Sequence, residues 1–231
     1  LIDEGSTDIA AAADADLAVV CTPVNRIAED VRALASVLSP EALLTDAGST
    51  KRALSEDLAD LDGVDGPAFI GSHPLAGSER QGFEHADTEL FQDRICVVTP
   101  SATTRPADLA RLEQFWIALG AVVVACTPDD HDRTLARTSH LPHLVAAVLA
   151  ESLQAADSQF TASGFRDTTR IASGDPSLWV PILRHNAPAV RVELDRLRAE
   201  LKKLSDSLQH DDTAALQMLL EEAKRKRDVL G

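Results

Sequence analysis

Short apolar runs alternate with amphipathic stretches over the first 126 residues of this 231-residue chain, and this alternation restricts the fold more than any other feature. The first run, Leu17–Cys21, is apolar throughout, which is typical of a strand buried on both faces. After it, apolar residues recur at helical spacing and stop before Pro40; they are Ile27, Val31, Leu34 and Leu38. Strands that alternate with helices in this way predict a parallel sheet with right-handed crossover connections.

The same alternation continues to residue 125. The predicted elements are, in chain order, a strand at Leu43–Thr45, a helix at Lys51–Leu61, a strand at Phe69–Gly71, a strand at Arg94–Thr99, a helix at Pro106–Leu119 and a strand at Ala121–Ala125. The turn Thr22-Pro23 and the side chains of Ser49 and His73 lie just beyond the carboxyl ends of predicted strands. Ligands bind at that edge of open α/β sheets, so these residues are candidates for a ligand site.

The pattern changes at Thr127, which is suited to cap a helix with Pro128 at its first position and Asp130 completing the capping box. From there to the end of the chain, the apolar spacing predicts helices only. The predicted fold class is therefore α/β followed by all-α. It comprises an incomplete Rossmann-like parallel sheet domain at residues 1–126 and a helical domain at residues 127–231.

Two long helices are predicted in the helical domain. The first runs from His131 to about Ala156, with a kink at Pro142. The second carries an apolar seam that repeats by four and three residues: Val190, Leu194, Leu197, Leu201, Leu204 and Leu208. Such a seam fits packing within one chain, and it fits a helix–helix dimer interface at least as well, so we expect a homodimer.

The composition excludes several kinds of partner. Lys and Arg number 22 against 37 Asp and Glu, so the net charge is −15, and aromatic residues make up 3% of the chain. This balance argues against nucleic-acid binding and against an anionic membrane surface. No apolar run reaches the roughly 18 residues that a membrane span needs. Cys21, Cys96 and Cys126 are odd in number and lie in apolar segments, so we expect reduced core cysteines of a cytoplasmic protein.

The segment Gly164–Trp179 carries the strongest signal for an anionic ligand. Arg166 and Arg170 are four residues apart, so they share one face if the segment is helical. A guanidinium group binds a carboxylate through two parallel hydrogen bonds, and an acidic chain must supply such positive charge locally. Their spacing alone fits an ordinary helix with surface arginines equally well. Asp175 is positioned to cap the next helix, with Pro176 at its first position.

Four motifs in this order resemble the prephenate/arogenate dehydrogenase family of tyrosine biosynthesis. They are Asp46–Lys51, His73–Glu79, Ser139–His143 and Gly164–Trp179. The resemblance spans nearly the whole chain. It implies an oxidoreductase that uses NAD or NADP to carry out the oxidative decarboxylation of prephenate or arogenate. It also implies that the sheet domain binds the dinucleotide, and that the helical domain binds substrate and dimerises.

The resemblance assigns roles to particular side chains. His73 accepts a hydrogen bond or proton from the ring hydroxyl group, and Ser49 bonds the same hydroxyl or orients His73. The implied substrate-binding residues are Arg170 for a carboxylate, His143 for the substrate side chain, Arg166 as a gate or a partner of Asp167, and Ser78, Glu79 and Trp179 as parts of the pocket. His140 is expected to pack or to support its helix. The cofactor side is assigned to Thr22, Pro23 and Ser49, and no metal is expected.

None of the 11 glycines forms the Gly-x-Gly-x-x-Gly turn of a dinucleotide-binding unit. We therefore expect that the chain lacks roughly the first two strands of the nucleotide domain, and we expect no regulatory domain after Gly231. The alternative function is a non-catalytic substrate-binding or scaffolding relative. A metal-dependent hydrolase that uses His131-Asp132, His140 and His143 is a weaker rival. Positions 131 and 140 should fall on nearly opposite faces of one helix, at about 100° per residue.

Overall fold

A computed structural model describes residues 3–61, 66–77 and 82–230 of the chain. The chain forms two compact units, Leu1–Ala187 and Pro188–Gly231. The sequence predicts a domain boundary between residues 126 and 127, where the sheet gives way to helices. That boundary is not the division between these two compact units, so the predicted domain division stays a prediction.

Six strands lie in the described part of the first unit. They are β1 (Leu17–Val20), β2 (Leu43–Asp46), β3 (Ala68–Phe69), β4 (Gly71–Pro74), β5 (Ile95–Thr99) and β6 (Val122–Ala125). They form two three-stranded sheets with the orders β1-β2-β3 and β4-β5-β6. The pairs β1–β2, β2–β3 and β5–β6 are parallel, so the predicted Rossmann-like class is confirmed.

One pairing differs from the prediction of a parallel sheet, because β4 and β5 run antiparallel. Ile70 alone separates β3 from β4, so one stretch of chain pairs with β2 at its start and with β5 at its end. Parallel neighbours need a crossover, usually a helix. The described residues between β4 and β5 contain the short 3₁₀ turn Phe83–His85 and no crossover helix, which fits an antiparallel return.

Nine α-helices occur in the described residues. They are α1 (Ile27–Ala35), α2 (Arg52–Asp57), α3 (Pro106–Ala118), α4 (Pro128–Leu135), α5 (Leu141–Glu151), α6 (Ser163–Thr169), α7 (Pro176–His185), α8 (Ala187–Gln209) and α9 (Thr213–Asp228). Shorter 3₁₀ turns lie at Ile9–Ala12, Ala59–Leu61, Ala155–Phe160 and Arg170–Ser173.

Strand β2 is buried on both faces, whereas β6 is largely exposed. Leu44 belongs to a core cluster with Ile27 and Val31 of α1. Its neighbour Leu43 belongs to a second cluster with Trp116 of α3. Successive side chains of a strand point to opposite faces, so helices cover the sheet on both sides.

The cysteines are only partly the core residues that the sequence predicts. Cys96 on β5 is buried, Cys126 is half-buried, and Cys21 is exposed just beyond the end of β1. The expectation is therefore wrong for Cys21, because the apolar run of β1 extends one residue past the buried strand. All three thiols are free.

The predicted long helix is interrupted and ends early. Thr127 caps α4 by accepting a hydrogen bond from the backbone N–H of Asp130 (3.1 Å), as predicted. A π-turn at Ala136–His140 separates α4 from α5, and α5 ends at Glu151, five residues short of the predicted end. The wider turn directly precedes Pro142, which has no N–H for a helical hydrogen bond and whose ring crowds the preceding turn.

The second unit, Pro188–Gly231, contains α9 and all but the first residue of α8. The six positions of the predicted seam all lie on α8, and Leu201 and Leu208 on that seam are 54% and 63% exposed. Met218 and Leu220 on α9 are exposed too. No helix in the described ranges is both long enough and apolar enough to cross a membrane.

Candidate active site

A cavity of about 690 Å³ opens in the first unit, between the end of β4, the π-turn and the segment that leads into α7. Its walls include three residues that the sequence singles out, namely His73, Arg170 and Trp179. These residues are up to 106 positions apart along the chain (179 minus 73), and the fold brings them to one cavity. Thr138 and Ser139 of the π-turn line it as well.

His73 lies on β4 and is held by a second histidine. Its Nδ1 atom is 2.9 Å from Nε2 of His131 on α4. Burial lowers the pKa of His73 well below its ordinary value, and the nearby His131, Lys51 and His140 lower it further. His73 is therefore neutral at pH 7 and is able to accept a proton.

Asp132 stands behind His131, and sequence reasoning missed both as partners of His73. Nδ1 of His131 is 2.7 Å from Oδ1 of Asp132. The Asp132 carboxylate also accepts the backbone N–H groups of Lys51 (2.9 Å) and Arg52 (3.1 Å) at the start of α2. Burial raises the pKa of Asp132, but the hydrogen bonds from His131 and from these two N–H groups outweigh it, so the net pKa is lowered.

The turn after β2 is built around a buried ion pair between Asp46 and Lys51. Oδ2 of Asp46 also accepts the backbone N–H of Gly48 (2.8 Å), and Oδ1 accepts that of Ser72 on β4 (3.1 Å). Asp46 therefore fixes this turn and ties it to the strand that carries His73. Ser49 lies half-buried in the same turn and is not among the described residues that line the cavity.

The spacing of Arg166 and Arg170 suggested one continuous helix, but the two arginines lie in different elements. Helix α6 ends at Thr169, and Arg170 begins the 3₁₀ turn that runs to Ser173. Arg170 lines the cavity, whereas Arg166 is exposed on α6 and is not among the described lining residues. Only Arg170 is therefore placed by this geometry to meet a ligand in the cavity.

Trp179 lines the cavity, and His143, which is not among the described lining residues, packs against it. The ring of buried His143 on α5 stacks on the indole of Trp179 on α7, with 3.6 Å between centroids and 10° between planes. Burial lowers the pKa of His143, although a hydrogen bond with the backbone of Ile171 raises it. Its buried Nδ1 has no hydrogen-bond partner in the described part of the chain. Asp175 caps α7 as predicted, accepting the N–H of Ser177 (2.8 Å).

Asn186 connects the two parts of the interrupted helix. Its side-chain nitrogen donates to the backbone carbonyl of Asp132 (2.7 Å) and lies 3.1 Å from Nδ1 of His140. The expectation that His131 and His140 lie in one regular helix is wrong, because His131 lies on α4 and His140 lies in the π-turn. The buried ring of His140 also meets Trp179 edge to face, at 6.2 Å between centroids.

Two predicted pocket residues, Ser78 and Glu79, lie outside the described residues. Thr22 and Pro23 are exposed beyond β1, where the Thr22 hydroxyl donates to Asp30 (2.6 Å). Within the described ranges, no group of three His, Cys, Asp or Glu side chains has an arrangement that would hold a metal ion.

A dinucleotide fits part of this architecture. Thr22, Pro23 and Ser49 follow the carboxyl ends of the parallel strands β1 and β2, which is the edge where such sheets bind ligands. Both Thr22 and Pro23 are exposed there. The glycine-rich turn that binds the phosphates of a dinucleotide is not present in the 231 residues. The chain therefore offers residues for one end of a dinucleotide.

Comparisons with known proteins agree with the four motifs. Residues 1–125 match the family model of the nucleotide-binding domain of prephenate dehydrogenase, and residues 127–222 match that of its dimerization domain. The chain is 33% identical to a cyclohexadienyl dehydrogenase of Zymomonas mobilis, over 94% of this chain and 76% of the relative. It is also 33% identical to the prephenate dehydrogenase of Bacillus subtilis, over 99% of this chain but only 63% of that relative's length.

Solved structures give the same result. The arogenate dehydrogenase of Synechocystis is similar with a TM-score of 0.86 and 32% identity, over 100% of this chain and 84% of that one. The prephenate dehydrogenase of Aquifex aeolicus, in complex with hydroxyphenyl propionate and NAD+, gives a TM-score of 0.90 at 32% identity, over 100% of this chain and 82% of that one.

Proposed function

Because this chain belongs to the prephenate dehydrogenase family, whose members are oxidoreductases, we propose that it acts in the NAD(P)-dependent oxidative decarboxylation of prephenate or arogenate, a step of tyrosine biosynthesis. The observation that carries the proposal is the cavity that joins His73, Arg170 and Trp179. It presents a neutral base, a cation and an aromatic wall to one ligand.

The reaction removes a hydride from the ring carbon that bears the hydroxyl group, and the ring carboxylate leaves as carbon dioxide while the ring becomes aromatic. Bound NAD or NADP supplies the hydride acceptor. Positive charge builds on the carbon as the hydride leaves, so a base on the hydroxyl proton stabilises the transition state. His73 is the base of the cavity, because burial and its neighbours keep it neutral.

Two groups bind the substrate's charged and polar parts. Arg170 is the cation among the described residues of the cavity wall and holds a carboxylate through its forked guanidinium. The buried Nδ1 of His143 binds the substrate side chain, and Trp179 covers the ring. Arg166, exposed on α6, has a weaker role at the entrance or as a partner of Asp167.

On the cofactor side, Thr22, Pro23 and Ser49 meet the end of the dinucleotide that carries the hydride acceptor. A second candidate function is a substrate-binding or scaffolding relative without hydride transfer. The two functions share the substrate cavity and differ in turnover.

Subunit association belongs to the same proposal. The match to a dimerization domain over residues 127–222 supports a homodimer, and exposed Leu201 and Leu208 give α8 an apolar surface for it. Sedimentation at micromolar concentration is expected to give a dimer, and a Leu201→Asp/Leu208→Asp variant a monomer; a monomeric parent would exclude this arrangement. The three free thiols are consistent with a cytoplasmic location.

The test separates binding from turnover. Calorimetry measures the affinity for prephenate and for arogenate, and absorbance at the reduced-nicotinamide band measures turnover with NAD and with NADP. The dehydrogenase proposal expects both binding and reduction of one cofactor. Binding without reduction would favour the substrate-binding relative, and binding of neither substrate would exclude both.

A further inference from the structure

We propose that His131 and Asp132 are positioning residues, which hold His73 with its proton on Nδ1 and its lone pair on Nε2 and take up the positive charge when His73 accepts a proton. The proposal rests on the proposed function only for the identity of the group that gives the proton, the substrate hydroxyl. The arrangement of protons in the resting protein is argued from the hydrogen bonds among His73, His131 and Asp132.

The order of the protons is set at Asp132. An ionised carboxylate only accepts hydrogen bonds. Asp132 is buried and accepts the N–H groups of Lys51 and Arg52, so its two oxygens are held in place by backbone that cannot turn away. Nδ1 of His131, at 2.7 Å, must therefore carry a proton and donate it to Oδ1.

The order then passes to His73. A neutral imidazole with its proton on Nδ1 has a lone pair on Nε2. Nε2 of His131 faces Nδ1 of His73 at 2.9 Å, so Nδ1 of His73 carries the proton of that hydrogen bond. This leaves Nε2 of His73 as an acceptor, and His73 lines the cavity. A hydroxyl group bound there meets a lone pair and not a second donor.

The same contacts provide a place for the charge. When Nε2 of His73 takes the hydroxyl proton, the proton on its Nδ1 moves to Nε2 of His131. The proton on Nδ1 of His131 stays in its hydrogen bond with Asp132. His73 is then neutral again, and the imidazolium is His131, in contact with a carboxylate at 2.7 Å.

The other charged and titratable groups around His73 make this transfer favourable. Lys51, at the start of α2, and His140, in the π-turn, both oppose a positive charge on His73. His140 opposes a positive charge on His131 as well, but the contact with the Asp132 carboxylate stabilises that charge. Asp46 on β2 is already paired with Lys51. Burial raises the pKa of the Cys96 thiol on β5 to about 12, so it remains neutral. Among the described neighbours, Asp132 is therefore the carboxylate left to balance a proton, and it contacts His131.

The first test reads the tautomer directly and needs no turnover. Histidine-selective ¹⁵N labelling of the whole chain, with two-bond ¹H–¹⁵N spectra at pH 7, identifies which ring nitrogen carries the proton, and a His73→Asn spectrum assigns the signals of His73. The expected result is a protonated Nδ1 and an unprotonated Nε2. A protonated Nε2 on His73 beside a doubly protonated His131 would overturn the proposal, because the pair would then present a donor to the cavity.

Variants test whether Asp132 and His131 cause that state. Asp132→Asn and His131→Gln are expected to give His73 a mixture of the two tautomers, whereas His210→Asn, at an exposed position after α8, leaves the spectrum of His73 unchanged. An unchanged His73 tautomer in folded Asp132→Asn protein would refute the relay. If these variants fail to fold, the spectrum of the unsubstituted chain still decides the proton order.

Kinetics tests the uptake of charge. In Asp132→Asn, kcat is expected to fall on the order of 100-fold or more, with KM nearly unchanged, because general-base catalysis contributes about that much. A purely structural role would change KM and kcat together and would leave the tautomer unchanged; that result counts against the proposal. A chain that turns over no substrate would contradict the proposed function, and the tautomer would still test the relay.

Discussion

The imidazole of His143 lies flat against the indole of Trp179, 3.6 Å between ring centroids. The two residues come from different helices, α5 and α7, so their contact joins both helices to one wall of the candidate site. A change that separates these rings should alter ligand binding without touching His73.

Gly174 provides such a change. A Cβ atom at this position would lie 2.5 Å from Nε1 of Trp179 and 3.2 Å from Cε1 of His143. Gly174→Ala is therefore expected to displace the indole and to weaken substrate-analogue binding about tenfold or more, which corresponds to about 1.4 kcal/mol. Gly164→Ala is the matched control, since its Cβ would meet no atom within 4 Å. Calorimetry should show a loss of substrate-analogue affinity for Gly174→Ala and none for Gly164→Ala. Equal affinities of the two variants would show that the stack of His143 on Trp179 does not shape the site.

Replacement of the base tests the chemistry itself. His73→Asn is expected to lower kcat on the order of 100- to 10,000-fold while the affinity for substrate stays nearly intact, because the lost interaction matters most as charge develops. Steady-state kinetics with a separate binding measurement checks this. Normal turnover in the variant would remove His73 from the mechanism.

The two arginines should differ. Arg170→Ala is expected to raise KM about ten- to a hundredfold, since a hydrogen bond to a charged group contributes about 1.5–3 kcal/mol. Arg170→Lys should restore only part of the loss, because an ammonium group lacks the planar fork. Arg166 is exposed on α6, so Arg166→Ala should raise KM less than Arg170→Ala does. A larger effect at Arg166 than at Arg170 would show that the carboxylate binds at the other arginine.

The ion pair between Asp46 and Lys51 makes a prediction about stability. Their side chains are 0% and 1% exposed, so Lys51→Met leaves a carboxylate buried without its cation. The free energy of unfolding should fall by about 3–5 kcal/mol, and the double variant with Asp46→Asn should regain part of it. Lys202→Met, which breaks an exposed pair with Asp206, should cost less than about 1 kcal/mol. Urea denaturation measures all three, and similar losses at both lysines would contradict the argument.

Buried histidines should make stability depend on pH. Burial lowers the pKa of His140 to about 4, against about 6.5 in an unfolded chain. Between these values the unfolded state binds more protons, so stability is fully present above about pH 6.5 and is lost as the pH falls towards 4, by about 1.4 kcal/mol per pH unit for one proton. The lowered pKa values of His73 and His143 act in the same direction. Denaturation between pH 7.5 and 5 should show this slope; His140→Gln should reduce it, and His210→Gln should not.

Local sequence patterns predicted the elements that depend on neighbouring residues. The strands near Leu17, Leu43 and Ile95 and the caps at Thr127 and Asp175 all follow from spacing or from one side chain with a nearby N–H group. Such features are encoded within a few residues, so one sequence suffices to find them.

Contacts between distant residues were not predictable in the same way. His73 and His131 are 58 positions apart, and no spacing rule relates them, because their contact depends on how α4 packs beside β4. The adjacent His131-Asp132 pair was visible in the sequence as a titratable cluster, but it suggested a metal site. The antiparallel pairing of β4 with β5 is likewise decided by the connection between them and not by the strands' own composition.

The five-residue π-turn at Ala136–His140 holds one residue more than a regular α-helical turn, and this changes what a loss of chain length does to the site. Its closing hydrogen bond runs from the backbone N–H of Leu141 to the carbonyl of Ala136, five positions back. A single-residue deletion inside the turn would make that spacing four and restore an uninterrupted α-helix, so α5 would keep its orientation relative to α4 and His143 would still face Trp179. A single-residue deletion in the regular turns of α4 would instead rotate every later position by about 100°. Loss of one residue at the π-turn is therefore expected to preserve the orientation of α5, whereas the same loss in α4 would dismantle the ligand site without any exchange of the residues that bind the ligand.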